Sequence, residues 1–142
     1  MYDLRDLVTV GVSGTVTRVV QESDTATNYS PQLQTLLATP TCIGLGIQAS
    51  VAAIDALLPD GFVSIGRHID FEHTASTFMG VEVRMTAKVV DVQPTYVDIV
   101  MTLSDEMGEI GHGTHRRSIV NVESLMARAM KRKEMMMNKR PI

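Results

Sequence analysis

The sequence is poor in cysteine and in aromatic residues, and it has no tryptophan. Its one cysteine, Cys42, cannot form an internal disulfide, so the 142-residue chain is not a disulfide-stabilised scaffold. Cys42 lies in an apolar segment, where cysteine usually packs as a small hydrophobic residue. We therefore interpret it as a packing residue rather than a catalytic thiol.

Targeting and phosphate-binding signals are also missing. The N-terminal segment MYDLRDL carries Asp3, Arg5 and Asp6, so it lacks the apolar core of a signal peptide. No apolar run reaches the length that a bilayer span requires, and the chain has no internal repeat and no Gly-rich phosphate loop. We expect a cytoplasmic protein without a membrane or nucleic-acid partner.

Charge is scarce and unevenly placed. Charged residues make up 20% of the chain, and the net charge is −3. Residues 123–142 hold six Lys or Arg and two Asp or Glu, hence +4, which leaves −7 for residues 1–122. We interpret residues 1–122 as a single domain and 123–142 as a basic, Met-rich helix or solvated tail. The alternative for this tail is a site for an anionic group such as a nucleotide phosphate.

What the chain does have is one long apolar segment. Residues 38–58 are small or apolar at nearly every position, which is typical of a helix that is buried on all sides. Thr39 is the expected N-cap, and Pro40 is the expected first helical residue. Gly44 and Gly46 each lower helix propensity by about 1 kcal/mol relative to alanine, so we expect another surface to approach closely there.

Five further segments alternate apolar and polar residues as strands do. They cover residues 7–20, with a bend or bulge around Gly11 to Gly14, and residues 62–73, 81–89, 97–103 and 110–122. In the segment 62–73, alternation predicts an inward and an outward face. The inward face holds Val63, Ile65, Arg67, Ile69, Phe71 and His73. The outward face holds Ser64, His68, Asp70 and Glu72. The order of elements predicts an α+β fold, with an antiparallel five-stranded sheet wrapped around the long central helix.

Three stretches resemble motifs of the hot-dog fold and, more narrowly, of its fluoroacetyl-coenzyme A thioesterase-like family. They are LATPTCIGLG at 37–46, VSIGRHIDFEHTASTFMG at 63–80 and DEMGEIGHGTHRRSIV at 105–120. The A-T-P helix start, the H-T-A-S-T strand end and the G-x-G-T-H-x-R strand occur in the order found in that family. The resemblance extends over residues 37–122.

This resemblance implies an acyl-CoA thioesterase, a hydrolase that needs no cofactor beyond the coenzyme A of its substrate. It implies catalytic roles for Thr39 and His73, and it places Arg117 beside the substrate. Gly66 and Gly80 match positions where the family keeps its backbone close to the substrate.

The resemblance also implies a homodimer, or a higher homo-oligomer, with the acyl pocket at the subunit interface. The open edge of a five-stranded sheet favours the same pairing. On the central helix, Cys42, Ile47 and Gln48 are the residues expected to line the pocket.

One position departs from the family pattern. The family helix carries a Glu eight residues after its Thr, and this chain has Ile47 there. Isoleucine can neither accept a proton nor orient a histidine, and Gln48 is rotated from that position by about 100°. Fluoroacetyl specificity is therefore not carried over. Two functions stay open, a thioesterase of different selectivity and a non-catalytic acyl-thioester-binding or regulatory module.

The remaining residues can still supply much of the chemistry. Thioester hydrolysis needs a nucleophile, a base and a group that stabilises the oxyanion. His73 is a suitable base for water or for the Thr39 hydroxyl, and the helix N-terminus offers N–H groups for the oxyanion. A hot-dog dehydratase would need an acidic or paired-histidine site, and no such motif is evident. His68, His112 and His115 lack the spacing of metal ligands, so no metal site is expected.

Overall fold

The computed structural model describes residues 2–139 of the chain. Within them lie β1 (Ser13–Val19), α1 (Thr39–Ile54), β2 (Phe62–His73), β3 (Glu82–Val92), β4 (Tyr96–Asp105), β5 (Gly108–Asn121) and α2 (Val122–Lys139). Every strand pair is antiparallel, and the order across the sheet is β1-β3-β4-β5-β2. The predicted α+β architecture, a curled five-stranded sheet with one long helix packed against it, is confirmed.

The core lies between α1 and the concave face of the sheet. The central strands β3 and β4 contribute Val83, Met85, Ala87, Val89, Val97, Ile99, Met101 and Leu103, all at most 1% exposed. The helix contributes Cys42, Leu45, Ala49, Ala53 and Ile54 to the same cluster. Burying each large aliphatic side chain is worth about 1.5–3 kcal/mol, so this contact is the main source of stability.

Two glycines let α1 lie directly on the sheet. A Cβ at Gly14 of β1 would overlap the carbonyl oxygen of Ala49, and a Cβ at Gly46 would overlap the Met101 sulfur. The predicted close approach is therefore present at Gly46. It is absent at Gly44, where a Cβ would have no atom within 4 Å.

The prediction that α1 is buried on all sides is wrong for a single chain. Ile47 is 38% exposed and Val51 is 36% exposed. By length and hydropathy, Thr39–Leu57 would also suffice to cross a bilayer, contrary to the sequence-based expectation. The core helix of a globular domain can meet the same criteria, and Cys42, Ala49 and Ser50 are fully buried against the sheet.

Strand β2 contains a β-bulge that changes which side chains face the helix. The pairing of β2 with β5 shifts register between Gly66 and His68, so Arg67 is an extra residue. One extra residue reverses the alternation of side chains along a strand. The strand bounds agree with the prediction, but its two halves have opposite phase.

The phase change corrects the predicted faces of β2. Ser64 is buried and faces the helix side, although it was expected on the outer face with His68. Val63 and Ile65 accordingly lie on the outer face, and Arg67 is exposed instead of inward. Beyond the bulge, His73 faces inward as predicted, because it bonds to a residue of α1.

The other differences concern the ends of elements. Strand β1 begins only at Ser13, because a turn at Gly11, with φ of 101°, separates it from a 3-10 turn at Leu4–Asp6. In the next loop, 3-10 turns form at Glu22–Asp24 and Ala26–Asn28.

Helix α2 follows β5 directly and is exposed along almost its whole length. It continues through Met135 to Met137. Residues 140–142 of the predicted basic tail, including Arg140, lie outside the described residues.

Candidate active site

The structure brings together the two residues predicted to be catalytic. Thr39 is the first residue of α1, and His73 is the last residue of β2. Thr39 Oγ1 lies 2.9 Å from His73 Nδ1, which is hydrogen-bond distance. The contact joins residues 34 positions apart, so it depends on β2 running beside the helix start.

Thr39 is not the helix N-cap that the sequence predicted. Ala38 occupies that position, and no side chain caps the helix. The Thr39 hydroxyl contacts His73 instead of a helix amide. Pro40 has no N–H group, and the Thr41 and Cys42 amides donate to the Ala38 carbonyl. Among the described residues, the Thr39 amide is therefore the first-turn donor that is left for an oxyanion.

His73 is half-buried, which keeps its imidazole neutral near pH 7. Desolvation lowers the pKa of His73 below its ordinary value, and a hydrogen bond with the Ala75 backbone opposes that change. The other ring nitrogen, Nε2, lies 3.9 Å from the Cys42 sulfur. A neutral imidazole beside a hydroxyl can accept the hydroxyl proton.

Cys42 is placed to form a wall of this site rather than to react. It is fully buried one turn after Thr39. Burial raises the pKa of the Cys42 thiol to about 12. Since the thiolate is the nucleophilic form of cysteine, the side chain stays an inert thiol at neutral pH.

Ile47 and Gln48 lie at a separate place on α1. Eight residues at 1.5 Å each put position 47 about 12 Å along the axis from Thr39. Ile47 lines a cavity of about 240 Å³ together with Gly66, Arg67, His68, Ile69 and His115. Gln48 is exposed and is not among the residues lining this cavity.

Arg117 is buried beneath the same part of β2. It is 4% exposed, and it lies directly opposite Gly66 in the strand pairing. Its Nε donates to Ser64 Oγ at 2.8 Å, and its Nη2 donates to the Ser64 carbonyl at 2.7 Å. The Ser64 hydroxyl in turn donates to Asp55 at 2.5 Å. Sequence patterns missed Ser64 and Asp55, because the bulge that turns Ser64 inward was not predicted.

Two buried side chains of β5, His115 and Arg117, lie next to Gly66 on the edge strand β2. A Cβ there would lie 3.1 Å from His115 Nε2 and 3.5 Å from Arg117 Nη1. The Ser50 hydroxyl, on α1, lies 3.3 Å from the other His115 ring nitrogen. His115 and Ser50 were not predicted as site residues, although His115 shares the strand parity of buried Ile119.

Gly80 lies in the turn before β3. Its φ of 93° is a left-handed conformation that favours glycine, and a Cβ there would meet no atom within 4 Å. The turn geometry alone therefore explains this glycine. Among residues 2–139, no cluster of three or more His, Cys, Asp or Glu side chains could hold a metal ion.

Comparison with known proteins bears on this arrangement. The family model described as fluoroacetyl-CoA-specific thioesterase matches residues 20–123. The chain belongs to this thioesterase family. The family predicted from the three motifs is thereby confirmed, and a hot-dog-like protein of known structure shares the fold seen here.

Three known proteins show how similar this chain is to its relatives. The fluoroacetyl-CoA thioesterase of Streptantibioticus cattleyicolor is 33% identical over 93 residues, which is 66% of this chain and 67% of that protein. A hot-dog-like protein from Thermanaerovibrio acidaminovorans is 30% identical with a TM-score of 0.87, covering 92% of this chain and 96% of its own. A variant of the fluoroacetyl-CoA thioesterase FlK, crystallised with acetyl-CoA, is 28% identical with a TM-score of 0.82, covering 88% and 98%.

Proposed function

We propose that this protein hydrolyses a small acyl-CoA thioester, with His73 as general base and Thr39 as nucleophile or water-positioning hydroxyl. The observation that carries this proposal is the 2.9 Å contact between Thr39 Oγ1 and His73 Nδ1 at the start of α1. Membership of a thioesterase family supports the reaction class. The acetyl-CoA complex of the related thioesterase supports an acyl-CoA as the substrate.

In the nucleophilic form of the mechanism, neutral His73 takes the Thr39 proton while Oγ1 attacks the thioester carbonyl carbon. The tetrahedral intermediate collapses, the C–S bond breaks, and the imidazolium returns its proton to the coenzyme A thiolate. A water molecule deprotonated by His73 then attacks the acyl-threonine ester, which releases the acid and regenerates Thr39. In the water-positioning form, Thr39 holds the water and His73 deprotonates it directly.

The site needs a second copy of the chain to be complete. Within one chain, Thr39 lies about 12 Å along the helix from Ile47, so the two halves of the predicted site cannot enclose one acyl group. Strand β2 is at the sheet edge, and the apolar side of α1 beside it is exposed. Two β2 strands can pair antiparallel about a twofold axis that lies between Ile69 and Asp70. Positions 66 and 73 are equidistant from this axis, so His73 of one copy lies opposite Gly66 of the other.

Hybrid dimers test this shared site. His73→Ala and Gly66→Val each remove one half, and each is expected to be inactive alone. After the two are unfolded and refolded together, random pairing makes half of the dimers hybrids with one intact site, so about a quarter of wild-type activity returns. Recovery of no activity, although the mixed chains are dimeric by light scattering, would contradict a site shared between copies.

The pocket residues follow from the same arrangement. Cys42 and Ile47 set the depth available to the acyl group, and the missing Cβ of Gly66 leaves room beside it. Arg117 holds this part of β2 through its two bonds to Ser64 and lies close to the substrate. Gln48 and Gly80 complete the proposed substrate-binding set. Ile47 replaces a carboxylate with an apolar surface, so the preferred acyl group differs from fluoroacetyl.

Thiol release measures the proposed activity. A panel of short, medium and aromatic acyl-CoA esters is assayed with a chromogenic thiol reagent, to which buried Cys42 adds no signal. His73→Ala is expected to lower kcat by about 100-fold or more, as loss of a general base does. His112→Ala on the outer face is the matched control and retains activity. Full activity of His73→Ala would refute the mechanism.

Ile47 also supports a second candidate function, a non-catalytic module that binds acyl-CoA. The chain offers no carboxylate at this position, and carboxylates are common acid–base groups in hydrolysis. Calorimetric titration with the same esters separates the two functions. Binding of an ester that wild type leaves unhydrolysed over the time of the titration would favour the module.

A further inference from the structure

A second imidazole lies on the inner face of the sheet, and the mechanism above does not use it. His115 on β5 is 3% exposed, on the strand that pairs with β2. It lines the cavity that also contains Ile47 and Gly66. It is thus a buried titratable group facing the half of the site that lacks Thr39 and His73.

The hydrogen bonds around Ser50 determine the tautomer of His115. The Ser50 hydroxyl donates its single hydrogen to the Gly46 carbonyl at 2.7 Å. Ser50 Oγ can therefore only accept in its 3.3 Å contact with His115 Nδ1. In the neutral ring, Nδ1 then carries the hydrogen, and Nε2 carries the free lone pair.

The free lone pair points toward the edge of β2. Nε2 lies 3.1 Å from the position that a Cβ at Gly66 would occupy, and it has no hydrogen-bond partner among residues 2–139. Because glycine stands there, the space in front of Nε2 is open to the cavity. Ile47, on the helix side of the same cavity, offers no acid–base group.

Burial, together with one neighbouring positive charge, gives this nitrogen a basicity comparable to that of a carboxylate. Burial and the positive charge of Arg117 lower the pKa of His115 to about 4, close to the usual value of about 4.3 for Glu. Arg67 and His68 on β2 are the other charged or titratable groups at the cavity, and α1 contributes only uncharged Ile47 and Ser50. The ring is therefore neutral, and able to accept a proton, through the physiological pH range.

We propose that His115 Nε2 is a second general base of the site and that it, rather than His73, accepts the proton of the water that attacks the acyl group, while His73 remains the base for the Thr39 hydroxyl. The inference rests on the proposed thioesterase function and on the paired arrangement of β2. One O–H bond of the water breaks and its proton moves to Nε2, while the oxygen bonds to the acyl carbon. As the intermediate collapses, the proton on Nε2 passes to the departing Thr39 oxygen or coenzyme A sulfur.

Two isosteric variants and one control test the role of His115. His115→Asn keeps a donor near the Nδ1 position for Ser50 but removes Nε2, whereas His115→Gln places an amide near Nε2. Both are expected to lower kcat by about 100-fold or more without raising KM, since the lost group acts on water and not in substrate binding. His112→Asn, on the exposed face of the same strand, leaves both constants unchanged.

The outcomes separate this inference from the proposed function. If wild type hydrolyses acyl-CoA and His115→Asn stays within about threefold of its kcat, the role of His115 is refuted while the thioesterase proposal stands. If wild type hydrolyses no ester in the panel, both are refuted. Nitrogen NMR of the His115 imidazole in the wild-type protein shows which ring nitrogen carries the hydrogen, and it needs no variant. A hydrogen on Nε2 between pH 5 and 8 would also overturn the inference.

Discussion

Replacing His115 by glutamine tests how firmly the fold holds this imidazole in its neutral form. The folded-state pKa of His115 is about 4 because of burial and Arg117, whereas an unfolded histidine has a pKa of about 6.5. Since the folded-state value is the lower one, protonation favours the unfolded chain. The stabilisation is fully present above about pH 6.5 and is lost as the pH falls through about 4.

The size of the effect follows from the same two values. The gap between about 6.5 and about 4 corresponds to about 3 kcal/mol of stability, of which about 2 kcal/mol is already lost at pH 5. Glutamine does not titrate in this range. The difference in free energy of unfolding, wild type minus His115→Gln, is therefore expected to shrink by about 2 kcal/mol between pH 7.5 and pH 5.

Urea unfolding at several pH values and one fixed protomer concentration measures this difference. His73, whose pKa is also lowered by burial, contributes equally to both proteins and cancels. Ile119→Val, a core change on the same strand, is the control and lowers stability by a constant amount at every pH. A wild-type minus His115→Gln difference that stays constant across the range would refute the assignment of a buried neutral ring.

Three further predictions test the site and the packing around it. Ile47→Glu restores a carboxylate in the cavity and is expected to raise kcat/KM for short acyl-CoA esters at least tenfold; unchanged or lower hydrolysis, by thiol release, would contradict this. Gly44→Ala should raise the free energy of unfolding by up to about 1 kcal/mol, because a Cβ there meets no atom. Gly14→Ala should lower the free energy of unfolding by about 2 kcal/mol or more, because its Cβ would overlap α1. Thermal melts that rank the two variants in the reverse order would refute this packing. Cys42, buried and with a raised pKa, should react with a thiol reagent only at the rate of unfolding, and fast labelling of native protein would count against its burial.

The sequence was sufficient to predict the family, the order of elements and the meeting of Thr39 with His73. Strand β2 was predicted with its observed ends, because alternation from Phe62 to His73 is continuous and turn residues flank it. The contact at the helix start was implied by the family resemblance, not by alternation. The first prediction depends on a short-range pattern, and the second depends on the resemblance, because the contact joins residues 34 positions apart.

Features decided by contacts between distant segments were not predictable in this way. The bulge at Arg67 depends on how β2 pairs with β5, so local alternation gave Ser64 the wrong face. The N-cap is Ala38, whose backbone is extended, and the Thr39 hydroxyl contacts His73 across the fold, whereas propensity rules consider only the helix itself. His115 could have been found from its parity with Ile119, had the histidines of β5 been judged by burial as well as by metal-ligand spacing.

The single extra residue at Arg67 makes the chemistry of β2 depend on the residue count of the strand. Deleting one residue there would preserve a continuous strand and most of its ladder, yet it would rotate either His73 out of contact with Thr39 or Gly66 away from His115. Edge strands often tolerate small changes in length. In β2, however, the side chains alternate in opposite phase on the two sides of Arg67, and both halves carry residues of the proposed site. Insertions and deletions between Gly66 and His73 are therefore expected to be eliminated by selection for activity long before they affect folding.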